Sequence, residues 1–77
     1  MGIMRNILSC KVGTLFTGLE INTWCKYQID NNTSHKKEAQ RISKSLFQDD
    51  ILYQSTYERK NTGSNSGVKL MFRRFRV

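Results

Sequence analysis

From Leu8 to Ile29 the side chains alternate between apolar and polar almost without a break. Whatever this chain folds into must give that stretch one apolar face. A two-residue turn at Thr17 and Gly18 folds the stretch back on itself. One face then carries Cys10, Val12, Phe16, Ile21, Cys25 and Ile29, and the other carries Lys11, Glu20, Asn22, Trp24 and Lys26. A period of two over both arms is the signature of a half-buried β-hairpin. In this register Cys10 stands directly opposite Cys25. Thr-Gly is a weaker turn pair than Asn-Gly. A short helix over Ile3, Met4, Ile7 and Leu8 is the rival reading of the start; the β-branched content through Ile29 favours strand.

Asp30, Asn31 and Asn32 break the pattern, and Thr33 or Ser34 is placed to cap a helix. Ala39, Ile42 and Leu46 recur at helical spacing with Phe47 beside them, and Asp49 and Asp50 end the element. Residues 51–58 are rich in β-formers, 61–67 read as a loop, and 68–77 read as a last strand. That strand turns Val68, Leu70 and Phe72 one way and Lys69, Met71, Arg73 and Phe75 the other. The expected fold is α+β, in the order ββαββ: a four-stranded antiparallel sheet with one helix packed on one face. All 77 residues are expected to form one small domain with a thin core.

Catalysis needs a nucleophile with a base, a metal site or a cofactor loop. The chain has one histidine, His35, and its two cysteines are not spaced as CxxC, so a usual zinc site is out of reach. Its glycines stand singly, without GxGxxG or GxxxxGK[ST]. No enzyme activity, cofactor or metal is expected. No stretch reaches the length of a membrane span, and no charged start leads into a long apolar run. The expectation is a cytoplasmic protein that keeps off membranes and holds both thiols reduced.

Charge carries the functional argument. Lys and Arg number 13 against 6 Asp and Glu, a net of +7. Residues 1–34 hold Arg5, Lys11 and Lys26 against Glu20 and Asp30, so the later residues carry the other +6. Such an excess suits polyanions, although a charge of about 2–8 also serves solubility alone. Three sites stand out. A sheet face carrying Lys11, Trp24, Lys26, Lys69, Met71, Arg73 and Phe75 would offer Trp24 and Phe75 as aromatic contacts among cations, unless Trp24 lies under a loop or a dimer partner. The helix bearing Lys36, Lys37, Arg41 and Lys44 puts cations in its first turn, against the helix dipole; an anion docking there would repay that, as would Glu38 and solvent. The third site is the tail Arg73, Arg74, Phe75 and Arg76, with Lys69 earlier on the same strand. Strand geometry sends Arg73 one way and Arg74 and Arg76 the other, and the compact run fits either an anion site or a charged edge strand that resists aggregation.

A short basic helix over residues 36–44, then a hairpin, with no catalytic residues, resembles small phage-encoded proteins, including anti-CRISPR inhibitors. The likeness covers residues 33–77 and rests on architecture, so it assigns no functional residues. It implies an inhibitor or modulator that docks a basic surface on a nucleoprotein complex or acidic protein surface and interferes with nucleic-acid binding. The alternative is a module that binds nucleic acid directly through the basic and aromatic sheet face. A second copy of the chain is admitted as a further partner.

Overall fold

At Thr17 and Gly18, where the alternation asks for a hairpin turn, the chain passes from strand into helix. The computed structural model describes residues 6–62 and 65–76, with the backbone alone at 60–62, 65 and 66. A 3-10 turn over Ile7–Ser9 leads to strand β1 (Leu15–Thr17) and then directly to helix α1 (Gly18–Asp30). Thr17 caps the helix. Its Oγ1 accepts from the Glu20 N–H at 3.1 Å, and the Glu20 carboxylate accepts from the Thr17 N–H at 2.9 Å. This is a reciprocal capping box. Phe16 and Ile21 hold the staple positions just outside and inside the cap, and both are buried in one core cluster.

The first turn of α1 is also held from outside. Gly18 donates to the Ile51 carbonyl at 2.8 Å and Leu19 to the Asp49 carbonyl at 3.2 Å. A Cβ on Gly18 would lie 1.7 Å from the Gln48 carbonyl oxygen, so only glycine fits. Gly18, Ile21, Trp24, Cys25 and Gln28 form the buried stripe of α1, a helical and not a strand period. Asn32, at φ 50°, turns the chain out of the helix in the left-handed region that asparagine tolerates.

Helix α2 (Lys36–Ser43) buries Ala39 and Ile42 as the spacing predicts. Thr33 helps to start it: its hydroxyl accepts from the His35 N–H at 3.2 Å and its carbonyl from the Lys36 N–H at 3.1 Å. The expected core residue Leu46 lies beyond the helix end, at φ 54° and 85% exposed. Phe47 packs inward in its place, its ring edge-on to Tyr53 and Phe72.

Strands β2 (Leu52–Thr62) and β3 (Asn65–Arg74) complete an antiparallel sheet in the order β1-β2-β3. Tyr53, Ser55 and Tyr57 of β2, with Leu70 and Phe72 of β3, face the two helices. Gln54, Thr56 and Glu58, with Lys69, Met71 and Arg73, face the other way. Ser55 ties the sheet to residues 11–14. Its backbone bonds Gly13 and Thr14, and its fully buried hydroxyl donates to the Lys11 carbonyl at 2.7 Å and accepts from the Thr14 N–H at 3.1 Å. Gly13 makes this possible at φ 89°, which side chains disfavour.

The α+β class therefore holds, with two helices and three strands instead of ββαββ. The second arm of the expected hairpin is α1, and its first arm keeps strand geometry only over β1. Cys10 and Cys25 are thus not cross-strand partners, and both thiols are free. The expected loop 61–67 is largely ladder, since Asn61 pairs with Ser66 and Thr62 with Asn65. Expectations touching Ile3, Met4, Arg5, Gly63, Ser64 and Val77 lie outside the described residues. Because the Gly18 contact is with backbone, Gly18→Ala should cost about 3 kcal/mol or more in denaturant unfolding. A loss below about 1 kcal/mol would show that α1 does not seat on residues 48–51.

Candidate polyanion-binding face

Both helices lie on the inner face of the sheet, and no described helix or strand covers the outer face. Its side chains run in rows across the strands: Thr17, Leu52 and Phe75; Leu15, Gln54 and Arg73; Thr56 and Met71; Glu58 and Lys69. Phe75 extends the ladder by donating its N–H to the Leu52 carbonyl at 2.9 Å. The sequence pattern thus places Lys69, Met71, Arg73 and Phe75 together correctly. It errs on Trp24, which sits on α1, is 2% exposed and stacks on His35 at a centroid distance of 6.2 Å. Trp24 is a core residue and offers no surface for contact. Lys26 is on the exposed side of α1, 4.0 Å from Asp30, and Lys11 lies in the loop before β1.

An open groove of about 650 Å³ lies at the Arg73 end of the sheet, lined by Val12, Gln54, Ser55, Thr56, Arg73, Arg74 and Arg76. Among the described residues no carboxylate pairs with any of these three arginines. Arg73 pairs with Gln54 on the outer face, whereas Arg74 pairs with Tyr53 and so alternates to the other side of β3. With the Gln54 amide and the Thr56 hydroxyl, the lining is a set that can hold phosphate or carboxylate oxygens through several directed hydrogen bonds. Sequence reasoning missed Gln54 and Thr56, although the alternation of β2 is the signal that sets them opposite Arg73 and Met71. It also assigned Val12 to the buried face.

Comparison with family models, curated proteins and solved structures finds no match for this chain.

The second nominated cluster does not join the groove. Arg41 is a bracket between helix and sheet. It pairs with Glu38, donates to the Leu70 carbonyl at 2.7 Å and reaches the Met71 sulfur at 3.8 Å. Lys37 and Lys44 are exposed and share its side of α2, being four residues before it and three after. Lys36 donates to the side chain of Asn32 at 3.2 Å. Among the described residues no three His, Cys, Asp or Glu side chains gather where they could hold a metal ion. No described helix is long and apolar enough to cross a membrane.

The two thiols differ. Burial pushes the Cys25 pKa up to about 11, while Cys10 is only half-buried and donates to the Ile7 carbonyl at 2.8 Å. Desolvation favours the neutral thiol, so this part of the stability is intact below the ordinary thiol pKa of 9.0 and is lost as pH rises towards about 11. Alkylation of the native protein at pH 8 should label Cys10 and spare Cys25 until unfolding, as peptide mass mapping would show. Equal labelling of both would contradict the burial of Cys25. For Arg41 the expectation is structural. Arg41→Met should lower stability by about 1–2 kcal/mol, whereas Lys37→Met should leave it within about 0.5 kcal/mol. Equal melting temperatures for the two variants would remove Arg41 from the bracket.

Proposed function

We propose that this is a non-enzymatic binding protein. It presses its arginine-lined sheet face against a polyanionic surface of a nucleoprotein machine and interferes with nucleic-acid binding there, in the manner of small phage-encoded inhibitors. The observation that carries the reading is the open groove with three arginines and no carboxylate partner among the described residues. Unpaired guanidinium groups around one concavity, with amide and hydroxyl donors between them, are well matched to an oxyanion surface.

Direct nucleic-acid binding is the second reading, and one feature favours it. Strands β2 and β3 pair well beyond the end of β1 as a two-stranded ribbon, with Arg59 exposed along it. A ribbon of that kind fits the major groove of a duplex. Loss of the aromatic platform with Trp24 weakens the stacking version of this reading.

Affinity capture with and without nuclease separates the two. A partner retained after nuclease supports docking on protein, and loss of every partner supports nucleic acid. Arg73→Glu with Arg74→Glu should weaken binding of the captured partner by about 2–4 kcal/mol, because each reversal removes an attraction and adds a repulsion. Lys26→Glu, on the opposite layer, should be nearly silent. Affinity should also fall steeply with salt. Unchanged melting temperature and circular dichroism serve as controls. Wild-type affinity in a folded Arg73, Arg74 double variant would sink the proposal.

A further inference from the structure

We infer that the occupant of the outer face is an extended acidic protein segment, in which carboxylates and apolar side chains alternate at every second residue and so share one face, rather than a nucleic-acid backbone. This rests on the reading of the arginine groove as a binding site. It adds the apolar half of the face and with it the class of partner.

The face is mixed in a regular way. Arg73 stands in the row of Leu15 and Gln54, and the next row holds Leu52 and Phe75. Val12, 67% exposed, lines the same groove as the three arginines. Leu15 and Leu52 are each 38% exposed, and Phe75 is half-buried. Aliphatic side chains beside guanidinium groups gain nothing from a phosphate backbone, which offers only charged and sugar surface. Base recognition would use a platform of rings; with Trp24 in the core, Phe75 is the one nominated ring left on this face, and it is half-buried. A protein segment supplies both halves: carboxylates for the arginine forks and apolar side chains for Val12, Leu15 and Leu52.

The spacing fits. Residues two apart on a strand are about 6.6–6.8 Å apart, and neighbouring strands lie about 4.8 Å apart. An extended segment repeats its own side chains at the same two-residue interval. It can therefore set a carboxylate at Arg73 while the apolar side chain two residues along, on the same face, reaches the row of Leu52 and Phe75. A second copy of the chain is a poor occupant, because a two-fold contact through this face would bring two arginine-rich surfaces together.

The test uses the purified full chain and fluorescence anisotropy with four probes: a short peptide in which glutamate and leucine alternate at every second residue with serine between, polyglutamate of equal charge, and single-stranded and duplex oligonucleotides of equal charge. The alternating peptide should bind tightest. Val12→Thr with Leu52→Thr should weaken it about fivefold or more and leave the other probes within about twofold. Arg73→Glu with Arg74→Glu should weaken every probe by about tenfold or more. Val12→Thr alone, in an exposed loop, gives the same sign of effect without touching the sheet. If an oligonucleotide binds tighter than the peptide, or the Val12 variants bind the peptide like wild type, the acidic-segment proposal fails while the groove stands. If the arginine variant binds every probe like wild type, the groove fails and this proposal with it.

Discussion

The contact of Gly18 with the Gln48 carbonyl is the constraint on which the rest of this fold depends. The absent side chain lets the start of α1 lie directly on residues 48–51, where Ile51 and Asp49 accept its first two amide hydrogens. The capping box of Thr17 and Glu20 supplies the next. With those donors satisfied inside the molecule, α1 begins immediately after β1 and no loop is spent between them. The segment that holds α1 also delivers the chain into β2. One junction therefore fixes the register of helix, sheet and the inward side of Phe47.

The sequence pattern was ambiguous at this very place, and the reason is physical. Ile21 and Cys25 satisfy a period of two as well as a helical spacing of four. Trp24 and Gln28 decide between them, because only a helix brings both to the buried side with Ile21 and Cys25. The alternation in 19–29 instead rewards Leu19 and Tyr27, which the fold leaves exposed. A local signal for the helix was present: Thr17 followed three residues later by Glu20, ahead of an apolar residue. The contact that makes Gly18 obligatory spans thirty residues of sequence and could not be seen locally. The C-terminal half was more legible. The facing of Leu70 and Phe72 against Lys69, Met71 and Arg73 follows from strand alternation alone, and the structure keeps it. Leu46 was misplaced because α2 ends at Ser43, and the tertiary aromatic cluster recruits Phe47 instead.

The basic residues divide into two jobs that composition cannot separate. Arg41 lies in the helical cluster by sequence, yet its forked head is spent on Glu38 and the Leu70 carbonyl. An arginine suits that post because a planar fork can serve a carboxylate and a carbonyl at once. The price is one fewer cation for any partner. Arg73, Arg74 and Arg76 have no such internal carboxylate among the described residues, so their full charge faces solvent.

Edge defence is the competing account of those arginines, and geometry weighs against it as the whole explanation. Arg73 and Arg74 do stand on the outer strand β3, where Arg41 also covers the Leu70 carbonyl, yet that defence needs charge only along the strand. The groove runs across the sheet instead. It reaches from Arg73 on β3, past Gln54 and Thr56 on β2, to Val12 before β1. Repulsion at an edge has no use for a concavity of that orientation, nor for exposed apolar side chains within it. The described residues form two layers, with no third among them to cover the outer face. Leaving Leu52 and Val12 there invites association, and placing arginines among them restricts which surfaces can accept the invitation. On the proposed reading, the same residues would disfavour a second copy and select a partner of opposite charge.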